Sequence, residues 1–173
     1  IKQIENLVNE FSDFARMPKP ILKDNNLVLT IKENISLIKE LDSNIIINFN
    51  YDNENITLNS DNEQLSRVFF NLIKNSIESI QEKYKKDANF KGKIDLTLAT
   101  SASKIDFIII DNGLGFKIFA NNIKDILNPY FTTKEKGTGL GLSIVNKIIN
   151  DHNGSIKFKP IDNGARIEIE FIK

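Results

Sequence analysis

The sequence predicts an α+β fold of two layers, a mixed and largely antiparallel sheet covered by helices. Three observations lead there. Ile94, Leu96 and Leu98 alternate with polar neighbours, the period of a strand with one buried face. Residues 63–85 and 140–151 instead repeat their apolar residues at the spacing of amphipathic helices. Asn163-Gly164, two residues that tolerate positive φ, stands between two strand-like runs and signals a hairpin, which joins antiparallel strands.

Taken in order, Ile4, Leu7, Val8, Phe11, Phe14 and Ala15 recur at helical spacing until Pro18 and Pro20 break the pattern. A lone helix of this length is marginal in water. The stripe therefore belongs either to a helical hairpin or dimeric bundle or to an arm lying on its own domain. Residues 18–24 read as a linker. Leu27, Ile31, Ile35, Ile38 and Leu41 predict a second helix, capped near Asn25 or Asn26 and covering the sheet. Strands are predicted over 45–51, 56–59 and 93–99. Residues 105–110 are apolar almost throughout, as expected of a central strand buried on both faces. Two last strands, 155–159 and 165–171, flank the hairpin signal.

Composition narrows the function classes. A chain of 173 residues with 40% hydrophobic content can bury one core, so a single domain plus an attached element is expected. Its 23 basic and 23 acidic residues balance, which gives no electrostatic reason for nucleic acid or an anionic membrane as a partner. The absence of cysteine removes disulfides, thiolate nucleophiles and cysteine-held metals, and it suits a reducing compartment. No apolar run is long enough to span a bilayer. Because it opens at Ile1, the chain reads as a piece of a longer protein.

Chemistry begins on the helix predicted from Glu63. Leu65, Val68, Phe69, Leu72, Ile73, Ile77 and Ile80 form its buried face, while Arg67, Asn71, Asn75, Glu78 and Glu82 run along another stripe. Amide oxygens four residues apart suit Mg²⁺ that is otherwise held by water and phosphate. On this helix alone, an ordinary exposed polar face is the favoured reading. DNGLGF, residues 111–116, follows the central strand: Asp111 can accept from an exocyclic amine, and Gly113 and Gly115 let the backbone approach a flat ring, although such residues also mark plain turns. GTGLGL, residues 137–142, is less ordinary. Alternate glycines entering an amphipathic helix cost stability unless a ligand needs close backbone approach, and the helix dipole favours an anion there. There is no G-x-x-x-x-G-K-[ST], and the long loop before GTGLGL excludes a dinucleotide G-x-G-x-x-G.

Over about residues 25–173 the set resembles the GHKL (Bergerat) ATP-binding fold, and within it the catalytic domain of sensor histidine kinases. NLIKNSIESI with Asn71 and Asn75 matches the N box, DNGLGF the first glycine box, PYFTTK at 129–134 the F box, and GTGLGL the second glycine box. The resemblance implies ATP and Mg²⁺ as ligands, with Asn75 and Asn71 holding the metal. It makes Asp111 the reader of adenine, and places Gly113, Gly115, Phe131, Thr133, Lys134, Gly137, Thr138, Gly139, Leu140 and Gly141 around the nucleotide. Residues 116–136 become a mobile lid whose far end Phe131 anchors, with plain core as the other reading of Phe131. EFSDFARMPKP, residues 10–20, is similar to the end of the second dimerisation helix of NtrY-like sensor kinases. The implied organisation is a partial dimerisation helix over 1–17, a linker over 18–24 and the ATP-binding domain over 25–173.

In the hydrolytic relatives, such as the Hsp90 chaperones and gyrase, a glutamate matches Asn71. An amide is no general base at neutral pH, so transfer to an acceptor is favoured over hydrolysis. The only histidine, His152 in DHNGS, does not fit an acceptor; it is expected to pack or hydrogen-bond at a helix end. The implied acceptor histidine lies upstream of Ile1, so no catalytic residue is expected here. Asn153 replaces a frequent glycine and tolerates the same left-handed backbone, and Glu78 stands where some kinases carry a basic residue. Implied partners are the protein's own phosphoacceptor helices, a response regulator and a second copy in the parent; nucleic acid and membrane contact are not expected. The implied location is cytoplasmic, with an inner-membrane sensor as parent. An ATP-sensing module without catalysis and a hydrolytic GHKL ATPase are the alternatives.

Overall fold

Among the described residues, seven strands and three helices follow one another so that each helix lies over a sheet or beside another helix. The computed structural model describes residue 12 and residues 17–39, 44–85, 89–115, 126–132 and 138–173. The predicted stripe from Ile4 to Ala15, and Leu41, lie outside the described residues.

Strand β1 (Lys23–Asn26) passes directly into helix α1 (Leu27–Lys39), where Asn26 Oδ1 accepts the N–H of Val28 at 2.9 Å, the expected cap. After β2 (Ile46–Tyr51) comes β3 (Thr57–Ser60), which pairs antiparallel with β1 in a separate two-stranded ribbon. The linker expected over 18–24 is therefore partly strand, and it is fastened to the domain. Gln64 Nε2 donates to the Pro18 carbonyl at 3.1 Å and the Ile21 N–H to Asp61 Oδ2 at 2.9 Å.

Helix α2 (Asn62–Tyr84) starts at Asp61, whose Oδ1 accepts the Gln64 N–H, with Glu63 in the first turn complementing the helix dipole. All seven apolar residues expected on its inner face are buried. That face meets the main sheet, with the Phe69 and Phe107 rings 5.0 Å apart. The sheet comprises β2, β4 (Lys93–Thr100), β5 (Lys104–Asp111), β7 (Ala165–Ile172) and β6 (Gly154–Pro160) in that order across it. Only β2 and β4 run parallel; the other pairs are antiparallel. Helix α3 (Gly141–Asp151) lies beside α2 and buries Ile144, Val145, Ile148 and Ile149.

One expectation is corrected and the expected hairpin is found. β5 is buried on one face only: Ile105, Phe107 and Ile109 face the helices, while Ile108 and Ile110 are half-exposed, because a two-layer fold covers one side of its sheet. The β6–β7 hairpin closes beyond the Pro160–Ala165 pair through four residues, 161–164, and of Asn163 and Gly164 only the glycine takes positive φ, at 113°. Its Cα lies hard against the Asp111 carbonyl, where no side chain fits.

Candidate functional site

Helix α2 carries polar side chains toward two different neighbours. At one end is Asp111, the last residue of β5 and only 4% exposed. Its Oδ2 accepts from the Ser76 hydroxyl at 3.0 Å and its Oδ1 from the Gly113 N–H at 2.9 Å. Burial pushes its pKa above the ordinary carboxylate value, against the opposing pull of the Gly113 and Ala165 N–H groups, the Ser76 hydroxyl and the Lys83 charge. The turn that follows lies along α2. The Leu114 N–H donates to Ser79 Oγ at 2.9 Å and the Lys83 ammonium to the Asn112 carbonyl at 2.7 Å. Gly113 rests against Ser79 and Ile80 too closely for a Cβ, and Gly115 lies likewise against the Gly164 carbonyl. Both glycines are thus required by the protein's own backbone, whatever a ligand adds.

At the other end is the glycine run. Asn71 spends Nδ2 on the Arg67 carbonyl at 2.8 Å, and a Cβ placed on Gly141 would lie 3.5 Å from its Oδ1. Helix α3 starts at Gly141 with no side-chain cap and no acidic residue in its first turn. Helices α1 and α2 are capped by Asn26 and Asp61. An uncapped start presents N–H groups and the positive end of the dipole, the setting in which an anion binds. Asn75, half-buried, sits one turn beyond Asn71 and next to Ser76, between the two ends. Leu140 is wholly buried, so it has only main chain to offer a ligand, and Thr138 Oγ1 accepts the Leu140 N–H at 3.4 Å.

Residues 126–132 join this end through Gly139. The Tyr130 N–H donates to the Gly139 carbonyl at 3.1 Å, and Gly139 has a φ of +70° with Tyr130 and Phe131 backbone where a Cβ would stand. Phe131 is half-exposed; the buried apolar side chain of this segment is Ile126. Thr133, Lys134 and Gly137, with most of the lid expected over 116–136, lie outside the described residues.

His152 takes the structural part expected of it: it is buried, with Nδ1 2.8 Å from the Ile148 carbonyl and Nε2 accepting the Asp61 N–H. Asn153 beside it has a φ of 55°, the left-handed conformation foreseen. Glu78 lies 3.9 Å from Lys74. Three site residues escaped the sequence reading, Ser76, Ser79 and Lys83. Their spacing of three and four marks one helix face, which was the available signal. Among the described residues no group of three or more His, Cys, Asp or Glu gathers to hold a metal. A cation here would depend on amide oxygens and phosphate, which the neutral pair Asn71 and Asn75 beside an uncapped helix start fits.

Residues 60–173 match the family of histidine kinase-, DNA gyrase B-, and HSP90-like ATPases. The chain is 36% identical over 169 residues to the NtrY-like sensor histidine kinase of Rickettsia prowazekii, covering 97% of this chain but 27% of that protein. It thus spans about a quarter of the length of such curated relatives. The catalytic domain of histidine kinase ThkA superposes with a TM-score of 0.75 at 32% identity, over 88% of this chain and 95% of that one. ThkA in complex with the response regulator protein TrrA superposes with a TM-score of 0.80 at 27% identity, over 99% of this chain and 48% of that one.

Proposed function

We propose that this chain, which belongs to the family of histidine kinase-, DNA gyrase B-, and HSP90-like ATPases, is the ATP-binding catalytic part of a two-component sensor histidine kinase. It positions Mg-ATP for γ-phosphoryl transfer to a histidine elsewhere in the parent protein. One observation carries the reading. A single rigid helix, α2, holds the buried Asp111 through Ser76 and faces the uncapped start of α3 with Asn71. A buried acceptor at one end and a phosphate-suited helix start at the other are the two demands of a nucleotide.

ATP supplies the γ-phosphoryl group; the residues of this chain bind and orient it. Asp111 accepts from the adenine amine, the N–H groups opening α3 face the phosphates with Thr138, Gly139 and Gly141, and Asn75 with Asn71 holds Mg²⁺. Thr133, Lys134 and Gly137 are assigned to the phosphates and the segment to Phe131 to the lid on the motif match alone. An amide at Asn71 supplies no general base, so positioning and charge neutralisation are what the domain contributes. The proposed setting is a partial dimerisation helix over 1–17, an ATP-binding domain from about residue 25, a homodimeric and membrane-anchored parent with this part in the cytoplasm, and a response regulator as the next acceptor. The ThkA complex with TrrA supports that last partner.

The test mixes this chain with γ-labelled ATP, Mg²⁺ and a separately produced helical domain that bears the parent's phosphoacceptor histidine. Label on the added histidine is expected, and none on this chain alone. Nucleotide binding without transfer would favour an ATP-sensing module. Steady phosphate release abolished by Asn71→Ala would favour a hydrolytic ATPase.

A further inference from the structure

We propose that Lys83 is a positioning residue for base recognition, aiming the Asp111 carboxylate through the peptide planes of the turn that follows it. This rests on the reading of Asp111 as the adenine acceptor. The Lys83 ammonium lies 2.7 Å from the Asn112 carbonyl oxygen and 3.4 Å from that of Gly113, with the Phe90 ring 4.3 Å away on a further side. In a trans peptide, a carbonyl and the N–H that follows it point in opposite directions from one rigid plane. The Asn112–Gly113 plane is therefore held from both edges: its oxygen by Lys83, its N–H by Asp111 Oδ1 at 2.9 Å. The Gly113–Leu114 plane repeats the arrangement, with its N–H on Ser79 Oγ at 2.9 Å.

Lys83 thus reaches the carboxylate through a covalently rigid lever, and its charge polarises the Gly113 N–H toward Asp111. The Phe90 face keeps the ammonium against the carbonyls. The turn has a second anchor that does not involve Lys83. Asn112 Oδ1 accepts the Lys93 N–H at 2.8 Å and its Nδ2 donates to the Lys91 carbonyl at 2.9 Å. Removing the ammonium leaves the turn tethered through Asn112 while the two planes stay held from one edge only, so the loss falls on how the carboxylate is aimed.

The experiment titrates the unsubstituted chain, Lys83→Met and Lys83→Arg with ATP and with inosine triphosphate at fixed Mg²⁺. Inosine carries a carbonyl where adenine has its amine. Lys83→Met is expected to bind ATP about tenfold more weakly with little change for inosine triphosphate, and Lys83→Arg, which keeps a cationic donor, to restore the preference. An unchanged ratio in Lys83→Met, or an equal loss for both nucleotides, overturns the proposal and leaves Asp111 as the base reader. Failure of the unsubstituted chain to prefer ATP overturns the reading of Asp111 and this proposal with it. If Lys83→Met does not fold, Lys83→Ala carries the same comparison, since it too removes the cationic donor.

Discussion

The main-chain N–H of Asp61 donates to Nε2 of His152 across 3.0 Å, joining the start of α2 to the end of α3 over 91 positions of sequence. Because Nε2 accepts, the ring proton sits on Nδ1 and is donated to the Ile148 carbonyl at 2.8 Å. Both nitrogens of the only histidine are thereby committed to structure. His152→Ala strips a part-buried N–H of its acceptor and removes a buried ring, and should lower unfolding stability by about 2–3 kcal/mol, read from urea melts. Nucleotide affinity of the folded protein should not change. Stability retained with phosphoryl transfer lost would make the histidine chemical instead.

Asp61 gives the fold an acid-sensitive joint. Burial alone would raise its pKa, but the N–H groups of Ile21, Gln64 and Glu63 outweigh it and hold the carboxyl below its ordinary 3.8. A depressed carboxylate contributes stability that is present above its unfolded pKa and lost as pH falls through the folded one. Asp61→Asn keeps a capping oxygen but cannot titrate. Urea midpoints followed from neutral pH to about pH 2.5 should fall less steeply below 3.8 in the variant than in the parent.

Asp111 has the opposite sign. Its pKa is raised, so the fold gains stability as pH drops through that value, and ionising this carboxylate costs the fold stability. Without nucleotide, Asp111→Asn should therefore melt no lower than the parent at pH 7. Its affinity for ATP should fall by about tenfold or more, because an amide nitrogen cannot accept from the adenine amine. Calorimetric melting and titration on the same preparations separate the two effects. A variant that melts early and binds ATP normally would remove Asp111 from the base site.

How much of this was legible follows from what periodicity reports. The buried stripe of α2 from Leu65 to Ile80 was readable because seven apolar residues keep one helical phase. β5 misled for the same reason: Ile108 and Ile110 are apolar, but apolarity does not say whether a second layer covers them. β1 was invisible, since Lys-Asp-Asn-Asn has no strand pattern and exists as a strand only because β3 pairs with it. Ser76, Ser79 and Lys83 looked like ordinary polar helix residues. Their partners, at the end of β5 and in the turn after it, lie 29 to 35 positions away, and a single helix cannot announce a contact made across the fold.

Gly139 and Gly141 belong to one run, yet the fold needs only the first. A Cβ at residue 139 would strike the backbone of Tyr130 and Phe131 at a φ that side chains rarely adopt, so Gly139→Ala should destabilise and loosen residues 126–132. At residue 141 the same methyl meets Asn71 Oδ1 at 3.5 Å, an ordinary contact, and the residue opens a helix. Alanine there should leave stability unchanged or raise it by up to about 1 kcal/mol, the helical preference of alanine over glycine. The methyl group would, however, stand between Asn71 and the uncapped N–H groups, where a phosphate requires bare backbone. Gly141→Ala is therefore expected to unfold at or above the parent's urea midpoint while binding ATP at least about tenfold more weakly. A Gly141→Ala protein that binds ATP as the parent does would place the phosphates away from the start of α3.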